Sequence, residues 1–179
     1  MISYAFLASC CDFTDQVLLP GRLKATTPPP PTECKSIKEI ACSMENFSML
    51  CTAVTKAGLG GALSSGLWTV FAPTNDAFDM MPEGTMDAMM ADSKMMADVL
   101  MFHVVPNKEV FAADLRCQHV LKMGNKKYSR TICLSGSVNG IFQKGAGNPR
   151  RAADMPMLMT MDMAACNGLI HVVNNVMLP

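Results

Sequence analysis

Side chains able to do acid–base or nucleophilic chemistry are few and scattered in this 179-residue sequence. The three histidines, His103, His119 and His171, lie far apart, and no serine stands in a Gly-x-Ser-x-Gly nucleophile elbow. No recognisable motif pairs two carboxylates. His103 falls on the apolar face of a predicted helix, where a buried, hydrogen-bonded imidazole is one interpretation and ligand contact or catalysis the other. We predict that the protein is not an enzyme and uses no cofactor.

Methionine is the most unusual component, with 18 residues in the chain. Five of them alternate along one segment, so an extended strand would turn all five side chains to the same side. They are Met155, Met157, Met159, Met161 and Met163. A half-buried strand needs such alternation and methionine fills cores adaptably, which favours core packing. An exposed patch for partner binding and a Cu(I) site are the alternatives.

The eight cysteines include no C-x-x-C pair and no Cys/His spacing of zinc-site type. Disulfides formed in an oxidising compartment therefore explain them best, and the protein is predicted to be secreted or on the cell surface. Counting does not fix the pairing, and Cys34 and Cys166 stay unassigned. The expected pairs are Cys117 with Cys133, which flank a predicted hairpin, and Cys42 with Cys51, between a strand and a helix at the start of the domain.

Three polar features are candidates for surface recognition. Asn75 and Asp76 begin a short predicted helix beside a strand end, where they either contact a partner or simply cap the helix. A basic group around a predicted turn either holds a sulfated polysaccharide or is a solvated hairpin. Its members are Lys122, Lys126, Lys127 and Arg130. Asn46 begins the one Asn-x-Ser/Thr sequon, which predicts N-glycosylation if the protein is secreted.

Composition argues against charged polymers as general partners. Fifteen Lys and Arg residues balance fifteen Asp and Glu residues, so no net field attracts nucleic acid or anionic membranes, and we predict no nucleic-acid partner. No apolar run approaches the roughly 18 residues of a membrane span. Any membrane anchoring is therefore expected to come only from parts outside this chain.

Apolar residues recur with helical spacing in the first part of the main domain and with strand spacing in the later part. Phe47, Leu50, Cys51 and Val54 share a helix face, with Ser43 or Asn46 as cap. Residues 67–72 form a predicted buried strand ended by Pro73, and Thr74, Thr85 and Ser93 are predicted caps of three further helices. Strands are expected near residues 120–123, 131–134, 138–142, 157–161 and 169–173. This order predicts the α+β class.

A proline run at residues 26–32, TTPPPPT, favours a semi-rigid polyproline II spacer. The preceding segment ends in VLLP, which parallels VMLP at residues 176–179, although so short a match also arises by chance. We predict that residues 1–24 are the C-terminal remnant of a preceding repeat, 25–33 a Pro-rich linker and 34–179 the main domain. The first 11 residues lack a basic start and a continuous apolar run, so no signal peptide is predicted there.

Two segments of the main domain resemble signatures of the fasciclin family. They are TVFAPTNDAF at residues 69–78 and NGLIHVV at 167–173 followed by VMLP, and FHVVP at 102–106 stands where the family usually has a Tyr-His pair. The resemblance extends over nearly all of residues 37–179. It implies a fasciclin-like β-wedge of about seven strands with several helices packed on it. The resemblance also implies a secreted or membrane-anchored protein, often with tandem repeats of the domain, that serves adhesion.

The resemblance also assigns roles to individual positions. Receptor contacts in animal relatives involve the Tyr-His region, which implies Phe102 and His103 as partner-binding residues in addition to Asn75 and Asp76. Phe102 replaces the tyrosine, so any role of that hydroxyl is lost, and Asn175 stands in a pair where aspartate is commoner. The motif positions implied to be structural are Thr69, Phe71, Pro73, Thr74, His103, Gly168 and His171.

Together these features predict an extracellular cell-adhesion or matrix module whose partners are extracellular proteins or glycans. A binder of small apolar ligands such as lipids is the alternative, and a deep apolar pocket would favour it. A methionine-rich Cu(I)-binding protein is the third possibility.

Overall fold

The computed structural model describes residues 34–64, 66–134 and 140–179. The chain divides into two units, Met1–Thr32 and Glu33–Pro179. The predicted repeat remnant at residues 1–24 and the linker at 25–33 lie outside the described residues, so the predicted domain boundaries stay predictions. All of the described residues belong to the second unit.

The described residues form five α-helices and seven strands in two sheets, which confirms the predicted α+β class. The helices are α1 (Ile37–Ser43), α2 (Ser48–Lys56), α3 (Asn75–Asp79), α4 (Thr85–Ala91) and α5 (Ser93–Phe102). The strands are β1 (Trp68–Pro73), β2 (Val104–Pro106), β3 (Val120–Lys122), β4 (Tyr128–Cys133), β5 (Ile141–Lys144), β6 (Leu158–Ala165) and β7 (Gly168–Val173).

Strand order is β2-β1-β7-β6 in the larger sheet and β3-β4-β5 in the smaller one. The two central strands of the larger sheet, β1 and β7, run parallel in a register that places Trp68 opposite Gly168 and Pro73 opposite Val173. Every other strand pair is antiparallel. Parallel strands that are covered on both faces consist of continuous apolar residues, and such runs in the sequence predicted β1 and β7.

The two faces of the larger sheet are covered by two separate hydrophobic clusters. Val70 and Ala72 of β1 belong to the cluster formed with helices α1, α2, α3 and α5. Phe71, which lies between them in sequence, belongs to the cluster that includes Leu121 and Met123 of the β3 region. Because successive strand residues point to opposite faces, this one strand contributes to both cores.

Three predicted helix starts differ in the structure. The cap of α4 is Gly84 without a side-chain hydrogen bond, not Thr85, and Asp92 rather than Ser93 caps α5, accepting from the Lys94 N–H at 2.8 Å. A 3-10 turn precedes α2 and places Phe47 at its cap position, so neither Ser43 nor Asn46 caps it. Thr74 does cap α3, as predicted.

One strand and one α-helix of the structure were not predicted from the sequence. Strand β2 has only three residues, so it has no readable alternation. Helix α1 replaces the strand expected around Cys42, and a capping box explains its start: Ser36 Oγ accepts from the Glu39 N–H, and the Glu39 carboxylate accepts from the Ser36 N–H at 2.7 Å.

The methionine run does not line up on one side, which corrects the prediction from alternation. Strand β6 has two register shifts against β7, and Asp162 within it has a positive φ of 59°. Such bulges rotate the residues that follow them. Met161 consequently packs against the Phe71 cluster and Met163 against the helix-side cluster, whereas Met159 is 54% exposed. The five thioethers therefore do not form one copper-binding face.

Three disulfides are present among the described residues. Cys42 pairs with Cys51 and Cys117 with Cys133, the two pairs predicted from the sequence. Cys34 pairs with Cys166, which joins the segment before α1 to the turn before β7 across 132 residues. A link over so long a segment restricts the unfolded chain strongly.

Gly168 should be irreplaceable in this fold. Its φ is 139°, and an added Cβ would overlap the carbonyl oxygen of Trp68 on the neighbouring strand. We expect Gly168→Ala to lower the free energy of unfolding by about 3 kcal/mol or more, measured by chemical denaturation. Gly61→Ala is the matched control, since a Cβ there meets no atom within 4 Å. Equal stability of the two variants would contradict the close β1–β7 packing.

Candidate functional site

The residues of the two signature segments come together on β1 and β7, although about a hundred positions separate them in sequence. Thr69 of β1 is fully buried. Its hydroxyl donates to the Lys108 carbonyl oxygen and accepts from the Val110 N–H, both at 2.8 Å. Thr69 thereby holds the loop after β2 against the sheet.

His171 of β7 fastens the same loop from the neighbouring strand. Its Nε2 donates to the Val110 carbonyl oxygen at 2.7 Å, and its Nδ1 accepts from the Asp162 N–H at 3.2 Å. Its ring lies 5.4 Å from that of Phe71, the residue opposite it in register. Burial lowers the pKa of His171, while the Val110 hydrogen bond and nearby Asp162 oppose that shift.

His103 ends α5 and is 2% exposed. Its Nδ1 donates to the Val99 carbonyl oxygen at 2.8 Å, and its Nε2 accepts from the Met177 N–H at 2.9 Å. One nitrogen donates and the other accepts, which fixes a neutral tautomer. Burial lowers the pKa of His103 to about 4, with the Val99 hydrogen bond opposing the shift. The imidazole is thus a buried link between α5 and the C-terminal segment.

Burial also corrects the prediction of partner contact at the Phe102–His103 pair. Phe102 is 0% exposed and belongs to the cluster with Phe71 and Met177. Neither side chain is available at the surface of the folded domain.

Asn75 is engaged within the domain. Its Oδ1 accepts from the Met49 N–H at 3.0 Å, and its Nδ2 donates to the Glu45 carbonyl oxygen at 2.9 Å and to Ser48 Oγ at 3.0 Å. These bonds fasten the start of α3 to the start of α2. Asp76, the next residue, is exposed, so it is the residue of this predicted pair that faces outward.

A groove of about 340 Å³ lies beside the exposed side of α3. Met80, which follows α3, is 58% exposed and lines it together with Pro82 and the C-terminal segment. Asn175 also lines the groove, and its buried Oδ1 has no hydrogen-bond partner among the described residues. A buried acceptor without a partner costs free energy unless a donor reaches it. Sequence analysis missed this groove, because its walls come from segments about 70 to 100 residues apart.

The predicted basic group is divided by the structure. Lys122 lies on β3 and Arg130 on β4, whereas Lys126 and Lys127 lie in the turn between those strands. Lys127 Nζ forms an ion pair with Asp98 at 3.0 Å. Arg130 instead lies opposite Lys144 of β5, a residue outside the predicted group. Asn46, the predicted glycosylation site, is exposed.

The largely apolar cavity between α1, α2 and β1 measures about 30 Å³, with Phe47, Leu50 and Val70 in its wall. This volume is comparable to one water molecule and about tenfold below that of a typical small-molecule site. The helix-side core is therefore solid, which counts against a lipid ligand there. In the described part of the chain, no group of three or more His, Cys, Asp or Glu could hold a metal ion. No helix in that part is long and apolar enough to cross a membrane.

Comparison with known proteins gives consistent matches. The Fasciclin domain family model matches residues 45–179. Protein sll1735 of Synechocystis sp. is 38% identical over 144 residues, covering 80% of this chain and 97% of that protein. The cell surface glycolipoprotein MPB83 of Mycobacterium bovis is 35% identical over 74 residues, 37% of this chain and 34% of that protein. The structure of a FAS1 domain pair from the insect cell adhesion molecule Fasciclin I aligns with a TM-score of 0.58 at 16% identity, covering 74% of this chain and 45% of that one.

Stability should depend on pH through His103. The unfolded chain binds a proton on this residue near pH 6.5, but the folded chain does so only near pH 4. Above pH 6.5 the imidazole is neutral in both states, so protonation does not affect stability. As pH falls from 6.5 to 4, the unfolded chain gains the proton first, and the free energy of unfolding falls by about 3 kcal/mol. Urea unfolding at several pH values should show a smaller pH dependence in His103→Gln than in the native protein.

Leu100→Ala is the control for this measurement. It removes a buried side chain from the same helix, so it should cost about 2 to 5 kcal/mol at every pH and keep the native pH dependence. An unchanged pH dependence in His103→Gln would rule out the proposed neutral link.

Proposed function

Since this chain belongs to the fasciclin domain family, we propose that it is an extracellular adhesion or matrix module that binds protein or glycan partners through its exposed surfaces. The family is known in adhesion proteins, and the signature residues of this chain serve its own packing. Recognition is therefore assigned to side chains outside the buried signature positions.

One observation carries this proposal. The outward side of α3 combines exposed Asp76 and Asp79 with exposed Met80, beside a groove that contains the unpartnered Asn175 Oδ1. An exposed apolar side chain, nearby carboxylates and a buried acceptor offer a partner apolar contact, charge and a hydrogen-bond site together. We propose this surface, the α3 groove, as a protein-contact site.

Three disulfides and the names of two matched proteins support an extracellular location. Disulfides persist in oxidising compartments and are rare in the cytosol. One match is described as a cell surface glycolipoprotein, and the other as a cell adhesion molecule. This module spans only 34% and 45% of those chains, so whole-protein activities are not carried over.

A non-catalytic role is consistent with the state of the buried histidines. His103 and His171 each donate from one ring nitrogen and accept at the other. Neither imidazole has a nitrogen left to exchange a proton with a substrate. We therefore propose binding without turnover.

Adhesion should depend on the α3 groove. Beads coated with the full chain should attach to extracellular matrix of the source organism, and Asp76→Ala combined with Met80→Asp should reduce attachment at least about fivefold. The physical reason is loss of a charge and of the exposed apolar contact. Asp87→Ala combined with Met95→Asp is the control, because both residues are on the surface of neighbouring helices α4 and α5. Equal losses in both double variants would contradict the assignment of the α3 groove.

Asn46 should carry a glycan in protein secreted from a eukaryotic host. The residue is exposed and its sequon reads Asn46-Phe47-Ser48, so the amide is open to the transferase. Enzymatic deglycosylation should remove one glycan mass from the native protein and none from Asn46→Gln. An unmodified Asn46 in secreted material would contradict this prediction.

A further inference from the structure

The positive charge of this chain is concentrated in one segment. Between Asp114 and Asp154 the sequence contains eight of its fifteen Lys and Arg residues and none of its fifteen Asp and Glu residues. The eight are Arg116, Lys122, Lys126, Lys127, Arg130, Lys144, Arg150 and Arg151. Net neutrality of the whole chain therefore conceals a strongly basic region, which includes all of the β3-β4-β5 sheet.

The smaller sheet has buried polar residues on one face and cations on the other. Ser129, Thr131 and Gln143 are fully buried and form hydrogen bonds with one another. Arg130, which lies between the first two, is exposed and stands directly opposite Lys144 in the register of β4 and β5. We call the side with exposed Lys122, Tyr128 and Arg130 and half-buried Lys144 the basic sheet face.

The cations of this face are not neutralised by the domain itself. Among the described residues, Lys127 is the one member of the eight that forms an ion pair with a carboxylate. Arg130 makes a long hydrogen bond of 3.5 Å to the neutral Gln118 side chain. Like charges directly opposite each other destabilise a sheet. Folding alone gives no reason to place Arg130 against Lys144.

A groove of about 480 Å³ opens at this pair of cations. Arg130, Lys144 and Arg150 line it, its apolar part includes Ile132 and Met155, and none of its lining residues is acidic. Tyr128, at its side, is 63% exposed. The groove thus combines three positive charges with an exposed aromatic ring.

A second groove, of about 530 Å³, lies along β3 and β2. Its lining includes Lys108, Lys122 and Lys126 and again contains no carboxylate. His119 also lines it, and its buried Nδ1 has no hydrogen-bond partner among the described residues. A hydroxyl group can donate to such a nitrogen. Both grooves border the basic sheet face, so a long anion crossing the strands meets cations along its length.

We propose that the basic sheet face binds a sulfated polysaccharide. Guanidinium groups hold tetrahedral oxyanions through paired hydrogen bonds, lysines add charge, and a tyrosine ring packs against the apolar face of a sugar. A sugar hydroxyl can donate to His119 Nδ1 or accept from it, according to the tautomer of the ring. Single-stranded nucleic acid is a poorer match, because such sites stack successive bases on several aromatic rings and this face exposes one.

The choice of an extracellular polysaccharide rests on the proposed extracellular function, whereas the anion-binding face itself rests on geometry and charge alone. The two are separable by experiment. The protein could fail to attach to matrix through the α3 groove, or prove not to be extracellular, and still bind polyanions. Conversely, polyanion binding could fail while the extracellular function is confirmed.

Binding of the full chain to immobilised heparin near physiological salt tests the proposal. We expect Arg130→Gln combined with Lys144→Gln to raise the Kd at least about tenfold, and chemically desulfated heparin to bind at least tenfold more weakly than heparin. Affinity should fall as salt rises, because exposed charges are screened. Lys56→Gln combined with Lys94→Gln removes the same net charge from exposed positions on α2 and α5 and should retain native affinity.

Several results would overturn the proposal. Equal loss of heparin affinity in the two double variants would show that only the net charge of the protein matters. If the native protein does not bind heparin, the basic sheet face is not a polysaccharide site. Equally tight binding of duplex DNA or polyglutamate would overturn the polysaccharide assignment. Thermal melting checks the fold of each variant. Arg150→Gln, outside the helices and strands, supplies a second test, expected to weaken heparin binding about threefold without affecting the sheet.

Discussion

The parallel pairing of β1 with β7 is the constraint on which the rest of the domain depends. It joins segments about a hundred residues apart, so forming it carries a large loop-closure cost, offset by burying apolar side chains on both faces. The turn before β7 reinforces this junction. Asn167 accepts from the Ile37 N–H at 2.9 Å and donates to the Leu63 carbonyl oxygen at 2.8 Å, and the Cys34–Cys166 disulfide lies beside it. The start of α1 and the segment before β1 are thus tied to the turn before β7.

The polar residues of the signatures serve this arrangement. Thr69 and His171 are buried where they satisfy backbone groups of an irregular loop that would otherwise be unpaired inside the protein. Asn148, which sequence analysis did not single out, does the same for the last residues, accepting from the Leu178 N–H at 2.9 Å and donating to the Val176 carbonyl oxygen at 2.8 Å. The family signature therefore marks how this fold is held together.

The exposed surface offers two chemically different regions for recognition. The α3 groove combines carboxylates with an exposed methionine, whereas the basic sheet face presents cations on a different sheet. Because their charges are opposite, the two proposed sites would select partners of different charge. Net charge alone would not have indicated this, since the fifteen basic and fifteen acidic residues of the whole chain balance.

The sequence by itself determined the fold class, the two central strands and the α3 cap, because each depends on local periodicity or capping. It only suggested two of the disulfide pairs, which the structure then confirmed. Tertiary structure alone decided which polar residues are buried. Phe102 is the last residue of α5 and His103 follows it, and their contacts with Met177 place both side chains inside the protein. It also decided the side of each methionine, since bulges in β6 override simple alternation. Arg130 and Lys144 are 14 positions apart in sequence, and only strand register brings these two charges together.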